Sequence, residues 1–171
     1  MTSAFSIRTC FLLCTMGLVF LWGCGESKSE KKMAPDFSLK EITGETVSLE
    51  QYRGQIVLLD FWATWCPPCR ASIPELVALQ GKYREKGLVV LGISMDDPDM
   101  VKNSDLVEFK NKLKINYRIL RATSGVLRDY FGQGNISIPT MFFINREGEI
   151  VDMHVGFRPG AVEESLKKLV S

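Results

Sequence analysis

The 171-residue chain is 46% hydrophobic, enough for one globular domain with a real core, which excludes a disordered polymer. A formal net charge of +1, with both signs interspersed and no basic stripe carrying aromatics, excludes a nucleic-acid-binding surface.

Residues 1–24 stand apart from the rest. The terminal amine and Arg8 precede FLLCTMGLVFLWG, an apolar stretch of signal-peptide length that runs up to Cys24. Leu21-Trp22-Gly23-Cys24 resembles a bacterial lipobox, in which a small residue precedes a cysteine that is lipidated and becomes the new N-terminus, although Trp22 is larger than that place usually holds. An uncleaved apolar anchor is the alternative. Either reading places the folded part outside the cytoplasm, in the periplasm or cell envelope, tied to a membrane by lipid or by the N-terminal segment. With Cys10, Cys14 and Cys24 assigned to this region, the folded domain keeps two cysteines, Cys66 and Cys69.

Residues 25–33, GESKSEKKM, are polar, charged and without periodicity, and read as a solvated linker to a domain spanning 34–171. DFSLKEITGETVSLEQYRG alternates apolar and polar residues on both sides of Thr43-Gly44, which predicts a β-hairpin. QIVLLDFWA is a continuous apolar run of strand length, expected for a central strand covered on both faces. After Cys66, Ile73, Leu76, Leu79 and Tyr83 recur at steps of three and four residues; this predicts a helix closed by Gly87 and kinked at Pro74. LVVLGISM is a second buried strand, so strand, helix and strand form a right-handed crossover with a parallel pair.

An extra segment lies between Asp96 and Ser137. Asp105 with Glu108 is expected to cap a helix whose Leu106, Phe109 and Leu113 face inward, YRIL to add a short strand and SGVLRDYFG a short helix. TMFFINREGEIVDMHVG predicts a hairpin turning between Asn145 and Gly148, and AVEESLKKLV a last helix with Val162, Leu166, Leu169 and Val170 on one face.

DFWATWCPPCR, residues 60–70, carries the chemistry. A zinc site needs about four ligands, and the domain offers two cysteines and the distant His154. A static bridge would close too small a loop to restrict the unfolded chain much. Redox chemistry remains. A cysteine between a buried strand and a helix has its sulfur near the positive end of the helix dipole, which favours thiolate over thiol and makes Cys66 the expected nucleophile. Pro67 and Pro68 are tolerated in the first helical turn, where their missing N–H groups would lack partners anyway. Neither can donate to the sulfur, which leaves the Cys69 N–H as the nearby donor.

LLDFWATWCPPCRASIP resembles the active-site segment of thioredoxin-fold proteins, and the likeness extends from about Ala34 to the C-terminus. Asp60 falls on the buried acid of that fold, Pro74 on its helix-kinking proline, and Ile138-Pro139-Thr140 on the loop whose proline is cis and lies opposite the cysteines. With the N-terminal hairpin, the insertion and the export signal, the chain is similar to the TlpA-like and ResA-like membrane-tethered thiol-disulfide oxidoreductases, including those serving cytochrome c maturation. The resemblance implies an α/β, thioredoxin-like fold with a central mixed sheet flanked by helices. It implies reduction of disulfides in exported proteins, an electron donor in the membrane fed from cytoplasmic thioredoxin, and no metal, haem or nucleotide cofactor. One residue departs from the pattern: the family commonly has a glutamate three residues after the second cysteine, where this chain has Ser72, which leaves a preference for apocytochrome c open.

Asp60 is then the expected acceptor of the Cys69 proton, as a desolvated strand-end carboxylate with a raised pKa. Trp65, Pro67, Pro68, Ile138, Pro139 and Thr140 are the expected docking surface, with the Ile138 backbone free to pair with a substrate strand. Trp62 reads as core, Arg70 as an exposed helix charge and His154 as a surface residue. Three other readings stay open at this level: a dithiol oxidase donating disulfides, a peroxidase of the peroxiredoxin type, and a non-catalytic tethered binding module.

Overall fold

The structure, a computed structural model, describes residues 32–170. The apolar N-terminal stretch, the lipidation expected at Cys24 and the linker up to Lys31 lie outside the described residues. The apolar run after Gln55 becomes β3 (Ile56–Trp62), buried at all seven positions. Such burial requires cover on both faces and partners on both edges, and the topology supplies them. Before it come β1 (Ser38–Lys40) and β2 (Thr46–Ser48), the expected antiparallel hairpin. After it follow β4 (Leu88–Ser94), β5 (Arg118–Arg121), β6 (Thr140–Ile144) and β7 (Ile150–Val155). The main sheet runs β5-β4-β3-β6-β7, with β3 parallel to β4, β4 parallel to β5, and antiparallel pairing from β3 through β6 to β7.

Alternation along β3 divides the core in two. Leu58 and Trp62 face α1 (Pro67–Tyr83), with Leu106 of α2 (Asn103–Lys112) and Val162 and Leu166 of α4 (Ala161–Val170) in the same cluster. Leu59 and Phe61 face the hairpin and α3 (Ser124–Phe131), where Phe61 meets Tyr130, Phe131 and Phe142 at centroid separations of 5.0–5.7 Å. Each fully buried large apolar side chain contributes about 1.5–3 kcal/mol relative to exposure. The hairpin is tied to the sheet edge by the Ile42 N–H to the Ile119 carbonyl and by Arg118 Nη1, 2.9 Å from both Glu41 Oε2 and Glu45 Oε2.

Three local features differ from the expectations. Strand-like pairing reaches two residues upstream of Ala34, because Met33 bridges Glu149 and the Lys32 carbonyl accepts the Ile150 N–H on the open edge of β7. Asp105 is the third residue of α2, not its cap: its carboxylate reaches back to accept the Lys102 N–H at 2.7 Å, the N3 half of a capping box, so the helix starts at Asn103. Helix α1 ends at Tyr83 and tightens into a 3-10 turn, Arg84–Lys86, before Gly87 at φ +84° leaves in the left-handed region.

Candidate active site

Cys66 is the N-cap of α1. Its backbone is extended, and its sulfur accepts the Cys69 N–H at 3.2 Å. Pro67 and Pro68 occupy the first turn without N–H groups, so the amide of the third helical residue is the first that can reach the cap. The helix start therefore directs one donor and the positive end of its dipole at one sulfur. Cys66 and Cys69 form a disulfide with Cα atoms 5.3 Å apart. Cys69 is fully buried, while Cys66 keeps 3% of its surface exposed, so of the two cysteines Cys66 is the one that reaches the surface.

Two contacts fix this tip. The Thr64 N–H lies 3.1 Å from both carboxylate oxygens of the buried Asp96, and the Thr64 hydroxyl donates to Asp96 Oδ1 at 2.7 Å. Asp96 stands just past the carboxyl end of β4 and also accepts from Ser94 Oγ at 3.0 Å. On the other side, the Ile138-Pro139 bond is cis, and the Ile138 carbonyl oxygen lies 3.8 Å from Cys66 Sγ. The Pro139 carbonyl accepts the Gly156 N–H at 2.7 Å, which ties this loop to the end of β7.

Asp60 lies on the sheet face that carries α1. It sits within β3, opposite Gly92 of β4 and Met141 of β6, two residues before the strand's end at Trp62 and not at the strand end as expected, and is fully buried. Burial alone pushes its carboxyl up to about 7. Neither carboxylate oxygen has a hydrogen-bond partner. A carboxyl that changes charge near neutrality, on the sheet face that carries α1, is poised to take a proton from a buried thiol.

Among the other expected residues, Trp65 is 66% exposed beside Cys66, and Pro67 and Pro68 are exposed. Ile138 is half-buried and its N–H and carbonyl make no backbone hydrogen bond. Pro139 is buried, and Thr140 is turned inward, its hydroxyl donating to the Ser137 carbonyl at 2.7 Å; Thr140 shapes the loop instead of presenting a docking surface. Trp62 is core and stacks on Phe109 at 5.3 Å. Arg70 is exposed. His154 is not a surface residue: its side chain is 12% exposed, because α4 covers that face of β7 and places Ser165 Oγ 3.1 Å from His154 Nε2. Ser72 is fully buried and donates to the Cys69 carbonyl at 2.8 Å, so it adds no charge to the site; Glu75 instead accepts the Gly160 N–H.

Asp96, which holds the turn before Cys66 through Thr64, is the residue of the site that sequence reasoning missed. The available signal was an acid at the carboxyl end of a parallel strand, where open α/β sheets place their sites. A cleft of about 440 Å³ opens beside the site between Thr64, Arg70, Phe109, Lys112 and Leu113. Among the described residues, no group of three or more His, Cys, Asp or Glu could hold a metal ion, and no helix is long and apolar enough to cross a membrane.

Comparison with known proteins agrees with this geometry. Residues 31–153 match the AhpC/TSA family. The chain is 32% identical to the thiol-disulfide oxidoreductase ResA of Oceanobacillus iheyensis, over 89% of this chain and 81% of that protein. It superposes on a thioredoxin-family thiol:disulfide interchange protein of Chlorobium tepidum with a TM-score of 0.75, at 28% identity, covering 85% of this chain and 100% of the other. It also superposes on the exposed lipoprotein thioredoxin of Streptococcus pneumoniae with a TM-score of 0.65, at 33% identity, covering 79% and 100%. The chain, with its cysteine pair at a helix tip and a cis-proline loop facing it, thus belongs to the AhpC/TSA family, as a ResA-like thioredoxin-fold thiol-disulfide oxidoreductase.

Proposed function

We propose that this oxidoreductase works outside the cytoplasm, tethered to a membrane through Cys24 or the apolar segment before it, and reduces disulfides of exported proteins. The tether is supported by the lipobox-like Leu21-Trp22-Gly23-Cys24 and by the likeness to a pneumococcal protein described as an exposed lipoprotein. The observation that carries the chemistry is the Cys66 sulfur capping α1, bonded to Cys69 and holding the Cys69 N–H at 3.2 Å.

In the reduced enzyme, the Cys66 thiolate attacks one sulfur of a substrate disulfide; a Cys66–substrate disulfide forms and the other substrate sulfur leaves as thiolate. Cys69 then gives its proton to the Asp60 carboxylate. The Cys69 thiolate attacks Cys66 Sγ, the bond to substrate breaks, and the second substrate sulfur leaves reduced. Substrate gains two electrons and the enzyme dithiol loses them. An external dithiol, carried by a membrane protein supplied from cytoplasmic thioredoxin, restores the pair.

Substrate docks across Trp65, Pro67 and Pro68, and its backbone pairs with the N–H and carbonyl of Ile138, which make no backbone hydrogen bond. Ser72, neutral and turned to its own helix, brings no carboxylate to this surface, so apocytochrome c is one substrate among exported disulfide proteins instead of a dedicated one.

Cys69→Ala tests this reading. The variant should stop at the mixed disulfide on Cys66 and capture exported proteins as adducts, identified by mass and released by dithiothreitol. Capture of no disulfide partner would refute the reductase reading. A reduction potential near the thioredoxin value of about −270 mV would support the reductive direction, whereas one near the DsbA value of about −120 mV would assign it to disulfide donation.

A further inference from the structure

Among the described residues, four buried side-chain polar atoms lack a hydrogen-bond partner: both carboxylate oxygens of Asp60, the indole Nε1 of Trp62 and the phenol oxygen of Tyr117. They belong to one place in the fold. Asp60 and Trp62 are two apart on β3 and share its α1 face. Gly92 stands opposite Asp60 and has no side chain, and the room above it is filled by the other two residues. A Cβ on Gly92 would lie 2.8 Å from Trp62 Nε1 and 3.2 Å from Tyr117 Cε2. An indole N–H and a phenol ring thus meet over the residue that faces the carboxylate. Tyr117 is within electrostatic reach of it, since its ionisation is opposed first by burial and then by the Asp60 charge.

The three groups are chemically complementary. An ionised carboxylate only accepts, an indole N–H only donates, and a phenol can donate. Buried polar groups in folded proteins are almost always satisfied, so three adjacent unpaired ones point to a bond made in another state of the enzyme. In the oxidised enzyme burial favours the neutral form of Asp60, the form in which the carboxyl needs those donors least.

We propose that Tyr117 and Trp62 are positioning residues that donate hydrogen bonds to the Asp60 carboxylate in the reduced enzyme, directly or through one enclosed water, and so set how readily Asp60 takes the Cys69 proton. This rests on Asp60 as the proton acceptor. Burial alone acts on the Asp60 carboxyl, with no charged side chain contributing: the strands on either side present Gly92 and Met141 opposite it, and Tyr117, before β5, is within its electrostatic reach. Tyr117 and, in the reduced enzyme, Cys66 and Cys69 of the cluster on the same sheet face are the titratable groups the proposal takes into account.

The test is the pH dependence of mixed-disulfide resolution. The reduced full-length protein is mixed with a disulfide-bonded model peptide and quenched with acid, between about pH 5 and 9, for wild type, Tyr117→Phe, Trp62→Phe, Asp60→Asn and Asp60→Asn/Tyr117→Phe. Losing one donor to the carboxylate should move the midpoint of the Tyr117→Phe profile alkaline by about one pH unit, leaving the alkaline plateau in place. At the wild-type midpoint, resolution should therefore slow about fivefold. Trp62→Phe should move the midpoint the same way, and in the Asp60→Asn background Tyr117→Phe should change nothing. A Tyr117→Phe midpoint equal to that of wild type overturns the proposal, whether or not the melting temperature rises, since a purely structural hydroxyl would leave the profile in place. If Asp60→Asn itself keeps the wild-type profile, the assignment of Asp60 as acceptor fails first and takes the proposal with it.

Discussion

Cys66→Ala should abolish reduction of a disulfide substrate, lowering turnover by at least about a thousandfold, since removing a covalent nucleophile leaves only binding and background exchange. The size of the effect follows from access. Cys69 is fully buried, and of the two sulfurs only that of Cys66 belongs to a residue with surface left. Cys69 cannot stand in as attacking group, because it has no surface of its own for a substrate disulfide to reach. The variant should also form no adduct with substrate, in contrast to Cys69→Ala. Peptide reduction followed by thiol release gives the rate, and intact mass gives the adduct. Full turnover by Cys66→Ala would move the activity elsewhere in the protein and remove the basis of the mechanism.

Asp60→Asn should change how stability depends on pH. In the oxidised protein burial raises the Asp60 carboxyl from 3.8 to about 7, whereas in the unfolded chain it titrates near its ordinary value. Between those two values the native state holds a proton that the unfolded state has lost. Stability therefore falls as pH rises through the window, from its full value below about pH 4 to a plateau above about pH 7, by on the order of 4 kcal/mol. Asparagine has nearly the same shape and no charge, so the variant should match wild type near pH 4 and exceed it at pH 8. Denaturant titrations of both oxidised proteins at the two pH values measure this directly. Curves that differ by the same amount at pH 4 and 8 would show that Asp60 does not titrate in the window. The same substitution should slow resolution of the mixed disulfide about a hundredfold, as expected on losing a positioned base.

Much of this architecture was legible in the residues, for identifiable reasons. The unbroken apolar run of β3 specified a strand covered on both faces, and the periodicity of Ile73, Leu76, Leu79 and Tyr83 specified the inner face of α1. The two hairpins followed from alternation and their turn residues. The Cys66 cap followed from the chemistry of a cysteine before two prolines. The cis bond before Pro139 came instead through resemblance, since nothing local to Ile138 demands it. Tertiary cover was not legible. Alternation assigns His154 to a face of β7 but cannot say that Ser165 of α4 lies on it. The clamp of Asp96 on Thr64 joins residues 32 apart, and the meeting of Tyr117 and Trp62 above Gly92 depends on the order of three strands. Thr140 was placed correctly along the chain but wrongly in depth, because a polar residue after a proline gives no sign of which way it turns.

The prolines between the sulfurs have a thermodynamic consequence beyond tolerance of the helix start. A free thiolate gains more from an amide donor than a disulfide sulfur does, so each N–H aimed at Cys66 pulls the redox couple toward the dithiol and makes the protein a stronger oxidant. Pro67 and Pro68 withhold two such groups and leave the single Cys69 amide. The dipeptide thus acts as a setting on the driving force, moving the couple toward electron donation relative to a pair with amide donors at those positions, with no change in the groups that react.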